Sequence, residues 1–87
     1  MQFTYIPHAL QRMSERGTNK REVEITIKSG IRKPDKLNRI KSEQVFTCNK
    51  KEGGISYKFK QVVVTAELIN KLTGHWKIIT VVVKYYN

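Results

Sequence analysis

"QVVVTAELINKLTGHWKIITVVVKYY" (residues 61–86) holds two long apolar runs rich in β-branched residues, parted by the polar segment "NKLTGH" (70–75). Such runs bounded by turn residues predict strands, and these two are apolar enough to lie at the centre of a sheet. Just upstream, "QVFTCNKK" (44–51) and "ISYKFK" (55–60) alternate apolar and polar residues on either side of Gly53-Gly54. That pattern predicts a hairpin.

The amino-terminal part has a helical period instead. Pro7 fits a first helical turn, and Ile6, Leu10 and Met13 recur at helical spacing until Gly17 stops the run. Asn19 followed three residues later by Glu22 reads as a capping box, and Val23 with Ile27 gives an i, i+4 apolar pair before Gly30. "IRKPDKLNRIKSEQ" (31–44), with Pro34 and seven charged residues, reads as a connection with room for a short edge strand. Helices first and strands afterwards predict an α+β class, with two N-terminal helices packed on an antiparallel sheet of about four strands. At 87 residues the chain is expected to form a single domain over 1–87.

Lysine and arginine number 17 against 7 aspartates and glutamates, a net charge of +10. So large a field on so small a body predicts an anionic partner: RNA, DNA, an anionic membrane surface or an acidic protein. The longest apolar run, "IITVVV" (78–83), is far short of the roughly 20 residues of a membrane helix, so no membrane-spanning partner role is expected. "MQFTYIPH" has no secretory-leader pattern, and the one cysteine, Cys48, suits a reducing cytoplasm. One cysteine and two distant histidines supply no zinc ligand set, and no metal or other cofactor is expected.

The first helix carries the chemistry. At about 100° per residue, His8, Arg12 and Arg16 fall within about 80° of one another, beside the apolar face. Spacing of this kind is also common among solvated charges on exposed helices, with Glu15 as the local counter-charge. Read functionally, the two guanidinium groups would bind phosphate oxygens in pairs, and the imidazole would move a proton near neutral pH. Tyr57 is a candidate for stacking a nucleobase or for core packing, and Lys84 for holding a phosphate or for standing as a solvated edge charge.

"HALQRMSERG", then "NKREVEITIKSG", then strands ending in "IITVVVKYY", resemble a small bacterial family of unknown function whose first helix carries a histidine followed by arginines. That family is similar to the barnase, EndoU, colicin and RelE group of metal-independent RNases, which includes many toxins. The resemblance implies a RelE-like fold and a site shared by the first helix and the final strand: His8, Arg12 and Arg16 with Thr80, the one polar interruption in "IITVVV". Threonine is also simply a good strand residue. Where the family often has an aromatic soon after that threonine, this chain has Val82, with Tyr85 further on. The implied activity is RNA cleavage by attack of the 2'-hydroxyl on the adjacent phosphate, and the implied partners are RNA and an acidic antitoxin or immunity protein. The alternatives are a non-catalytic RNA-binding module and a protein-interaction module.

Overall fold

A computed structural model describes all residues, Met1–Asn87. In chain order the elements are β1 (Gln2–Tyr5), α1 (Pro7–Arg16), α2 (Lys20–Ser29), β2 (Ile31–Pro34), β3 (Arg39–Glu52), β4 (Ile55–Asn70) and β5 (His75–Tyr86). The strands form one sheet in the order β1-β5-β4-β3-β2. β1 runs parallel to β5, and every other neighbouring pair is antiparallel.

This corrects the expected arrangement of two N-terminal helices on an antiparallel sheet of about four strands: the fold is α+β with two helices and a five-stranded mixed sheet. A strand, not a helix, comes first. Phe3 and Tyr5 pack against the core, and β1 pairs with Trp76 and Ile78 at the other end of the chain. No local periodicity announces a four-residue strand whose partner lies so far away. Ile6, counted with the helix, is extended at φ −72° and ψ 151° and precedes Pro7 at the helix start. β2 is the short edge strand for which segment 31–44 left room, exposed throughout and ending at Pro34, which has no N–H to give a neighbour. β3 also starts earlier than its apolar pattern. Its inward Ser42 is polar but satisfied, donating to the Thr26 carbonyl at 2.6 Å.

Both helices cover one face. Val62, Val64 and Ala66 of β4 meet Ile78 and Val81 of β5 beneath Ala9 and Met13 of α1 and Val23 and Ile27 of α2. Leu10 is left 40% exposed, because α1 lies down on its Ala9–Met13 stripe, where a small residue permits close approach. Asn19 caps α2 by accepting from the Glu22 N–H at 2.9 Å. The Glu22 carboxylate does not complete the box; it bonds Thr18 and Lys60.

The hairpin turn is Gly53-Gly54, with φ 58° and 79°. Both positive values suit a two-residue turn whose twist matches the flanking strands. Three irregularities bend the long strands, at Thr47/Lys50, at Thr65/Ala66 and at Leu68/Asn70. The second sets Ile79 as an extra residue of β5 between Ile78 and Thr80. His75, the last residue of the polar segment expected to part the two strands, opens β5 half-buried, its Nε2 2.5 Å from the Thr4 hydroxyl oxygen. No helix is long and apolar enough to cross a membrane.

Candidate functional site

β1 pairs with β5 only over His75–Ile78, because the chain leaves the sheet at Ile6 to start α1. From Ile79 onward that edge of β5 has no strand beside it, and α1 lies there instead. Arg16 reaches from the last turn of α1 and donates through Nη1 to the Val81 carbonyl at 2.6 Å. One turn back, the Arg12 Nε–H points at His8 Nε2 across 3.4 Å, a long contact at the limit of a hydrogen bond. In this geometry Nε2 stands as the acceptor of the Arg12 Nε–H. His8 is exposed, so an incoming ligand meets it directly.

Glu15 occupies the other side of Arg12, 3.1 Å from Nη1. A hydrogen bond from Gln11 at 2.9 Å, with the charges of Arg12 and Arg16, holds the Glu15 carboxyl below its ordinary range. Both partners of the Arg12–Glu15 pair are well exposed, so the pair is weak and exchangeable for a better anion.

The end of α1 is tied down by residues that local pattern does not single out. Gly17 takes φ 81° and donates to the Met13 carbonyl at 3.1 Å, closing the helix in the left-handed region that glycine favours. A Cβ there would collide with the Tyr85 hydroxyl, which donates to the Arg16 carbonyl at 2.7 Å. Lys60 is nearly buried and donates to the Gly17 carbonyl at 2.8 Å, while pairing with Glu22 at 2.7 Å. Thr18 donates to the same carboxylate oxygen at 2.9 Å. The ammonium of Lys50 stands 4.5 Å from the Tyr85 ring centre, and the Tyr57 ring lies 6.1 Å from it at 46°.

The structure thus joins His8 to Arg12, Arg16 to β5, and Tyr57 to Arg16 through Tyr85. Thr80 and Lys84 stand apart from these groups. Thr80 pairs with Thr65 and Lys84 with Gln61, on the sheet face opposite the helices, and both side chains are exposed. Thr80 makes no side-chain hydrogen bond, although the next residue, Val81, is the one that Arg16 holds. Alternation also sends Tyr57 and Phe59 to one face, whereas Tyr57 joins Tyr85 and Phe59 joins Tyr86. The irregularity at Thr47/Lys50 lies alongside, with Cys48 and Asn49 of β3 both standing opposite Lys58.

Tyr85, Lys50 and the Lys60–Glu22 pair were not expected as neighbours of the stripe. Tyr85 had a signal: alternation from Val81 through Val83 puts it on the helix side. Lys60 had none, since a lysine reads as solvated until its partner on another element is known. No known family, curated protein or solved structure matches the chain.

Proposed function

We propose that this chain is a metal-independent endoribonuclease of the toxin kind, acting in the cytoplasm and belonging to the barnase, EndoU, colicin and RelE group. The observation that carries the reading is the exposed His8–Arg12 pair, continued by Arg16 along the open edge of β5, on a chain of net charge +10. A phosphate arriving at Arg12 displaces Glu15 and lies beside His8. The imidazole, acting as a base, takes the 2'-hydroxyl proton as that oxygen attacks phosphorus. The phosphorus–5'-oxygen bond breaks and the leaving oxygen takes a proton from water, His8 returning its own to solvent, so that a 2',3'-cyclic phosphate remains on one product and a 5'-hydroxyl on the other. Arg12 stabilises the charge that builds on the phosphate, and Arg16 contributes at the strand edge. An RNA strand that crosses this edge meets the free hydroxyl of Thr80 on the other side.

A non-catalytic RNA-binding module is favoured by a different observation: Arg12 and Arg16 are both engaged, by Glu15 and by the Val81 carbonyl. Catalysis separates the readings. His8→Ala reduces the rate of RNA cleavage by about 10²–10⁴-fold while RNA affinity stays near parental. Cleavage persists in EDTA, and mass spectrometry finds the cyclic phosphate. A parental cutting rate in a folded His8→Ala protein removes His8 as the proton-transfer group, and binding without cleavage selects the second reading.

A further inference from the structure

The chain has eight aromatic residues, and they divide into two sets. Phe3, Tyr5, Phe46 and Trp76 belong to the core or pack against it. Tyr57, Phe59, Tyr85 and Tyr86 do not, and all four gather where β4 and β5 meet at the hairpin end of the sheet. Tyr57 and Tyr85 serve the end of α1, as described. Phe59 and Tyr86 have no such duty. They pair across the strands, ring centres 5.8 Å apart and tilted by 32°, with Tyr86 41% exposed.

Their face is the bare one. The pairs Phe59–Tyr86, Gln61–Lys84, Val63–Val82 and Thr65–Thr80 alternate with Val62–Val83 and Val64–Val81, whose side chains lie on the helix side. From Tyr86 to Thr80 this makes a strip of roughly 20 Å at the rise of an extended strand. The surrounding charge has one sign. Segments 44–61 and 82–87 contain five lysines and a single acid, Glu52. Lys60 is neutralised by Glu22 and Lys50 covers Tyr85, which leaves Lys51, Lys58 and Lys84 exposed.

We propose that Phe59 and Tyr86, with Lys84 beside them, form a stacking platform for the bases of single-stranded RNA on the bare sheet face. This deepens the reading of RNA as the partner and rests on it. Aromatic faces hold bases of any identity, and lysines hold the backbone phosphates between them. A duplex keeps its bases stacked inside and cannot use the rings. An acidic protein would find the same charge, but it has no need of two adjacent unburied rings. The platform also continues along β5 to Lys84 and Thr80, the two expected site residues that lie away from His8.

The test uses the full chain with a fluorescent single-stranded RNA and the same sequence as a duplex, and compares Phe59→Leu/Tyr86→Leu with the parent. Leucine keeps apolar bulk and removes the ring. Single-strand affinity falls on the order of tenfold for each ring lost, and duplex affinity is unchanged. If the double variant does not fold, photocrosslinking of 4-thiouridine RNA to the unaltered protein replaces it, and the adducts map to the peptides bearing Phe59 or Tyr86. Equal single-strand binding by parent and variant, no RNA binding by the parent, adducts confined to α1, or binding of an acidic protein alone overturns the platform. Cleavage assays on the same samples keep the two ideas apart. Loss of single-strand binding in a protein that never cuts RNA upholds the platform without the nuclease; His8-dependent cutting that ignores both rings upholds the nuclease without the platform.

Discussion

The Tyr85 hydroxyl donates to the Arg16 carbonyl at 2.7 Å, so the last strand holds the helix residue that in turn reaches back to the strand at Val81. The two bonds form a closed link between α1 and β5, and they fix where the His8–Arg12–Arg16 stripe stands. Tyr85→Phe removes one hydrogen bond and keeps the ring under Lys50. A loss of about 1 kcal/mol is expected. For a chain of this size that corresponds to a fall of about 5 °C in melting temperature, read by circular dichroism. An unchanged midpoint would show that this hydrogen bond adds nothing to the hold that Lys60 and Arg16 have on the helix end.

Gly17→Ala attacks the same junction from the backbone. The residue sits at φ 81°, where an L side chain costs roughly 1–2 kcal/mol. Its Cβ would also press on the Tyr85 hydroxyl, a position locked by hydrogen bonding. The variant is therefore expected to lose more stability than Tyr85→Phe, and Gly17→Ala/Tyr85→Phe less than the sum of the two. Urea melts of the three proteins give the coupling. Strict additivity would place the strain in φ alone.

Lys60 and Glu22 are each only about a tenth exposed, so removing one strands the other. Lys60→Met is expected to destabilise by about 3–5 kcal/mol, the usual result of breaking a buried pair. Adding Glu22→Gln removes the stranded charge and leaves an oxygen for Thr18, so the double variant recovers part of the loss. A double variant weaker than Lys60→Met would contradict the pairing.

Glu15 should report on the stripe before any RNA is added. Its carboxyl is held low by Gln11 first, and also by Arg12 and Arg16. A carboxyl depressed in the folded chain stabilises the fold above the unfolded-chain value, and that contribution fades as pH falls through the lower, folded value. Gln11→Ala should therefore raise the Glu15 midpoint in a carbon-detected NMR titration, and Arg12→Gln should raise it as well. Glu15→Gln frees Arg12 and removes a repelling charge, so RNA binds more tightly. Weaker binding would mean that Glu15 orients Arg12 for the phosphate.

What could be read from the chain follows the range of the forces involved. The second helix, the Gly53-Gly54 hairpin and the two apolar strands rest on neighbours close in sequence, and local pattern suffices for them. β1 escaped because its partner is β5, whereas Pro34 is enough to leave room for β2 as a short edge strand. In the site, helical spacing is enough to place His8 beside Arg12. It cannot show that Arg16 turns to a strand carbonyl, or that the bulge at Ile79 leaves Thr80 on the far face. Those positions depend on the pairing of β5 with both of its neighbours.

Salt dependence decides which of the 17 cations meet RNA, because only those that release counterions contribute to the slope. The observed binding constant should fall linearly with salt on logarithmic axes, and removing one phosphate contact on a single strand should flatten the slope by about 0.7. Arg12→Gln is exposed beside His8 and should show this change, as should Lys84→Gln on the bare face. Lys60 is spent on Glu22 and the Gly17 carbonyl, so Lys60→Met/Glu22→Gln should keep the parental slope. Fluorescence anisotropy across a salt series, on folded proteins, reads all three. If the Lys60 double variant, whose net charge is unchanged, flattens the slope as much as Arg12→Gln does, the Lys60–Glu22 pair opens on binding and Lys60 itself meets the RNA. If only the Arg12 and Lys84 variants flatten it, the RNA touches both the α1 stripe and the open sheet face, and its path runs over the edge of β5 between them.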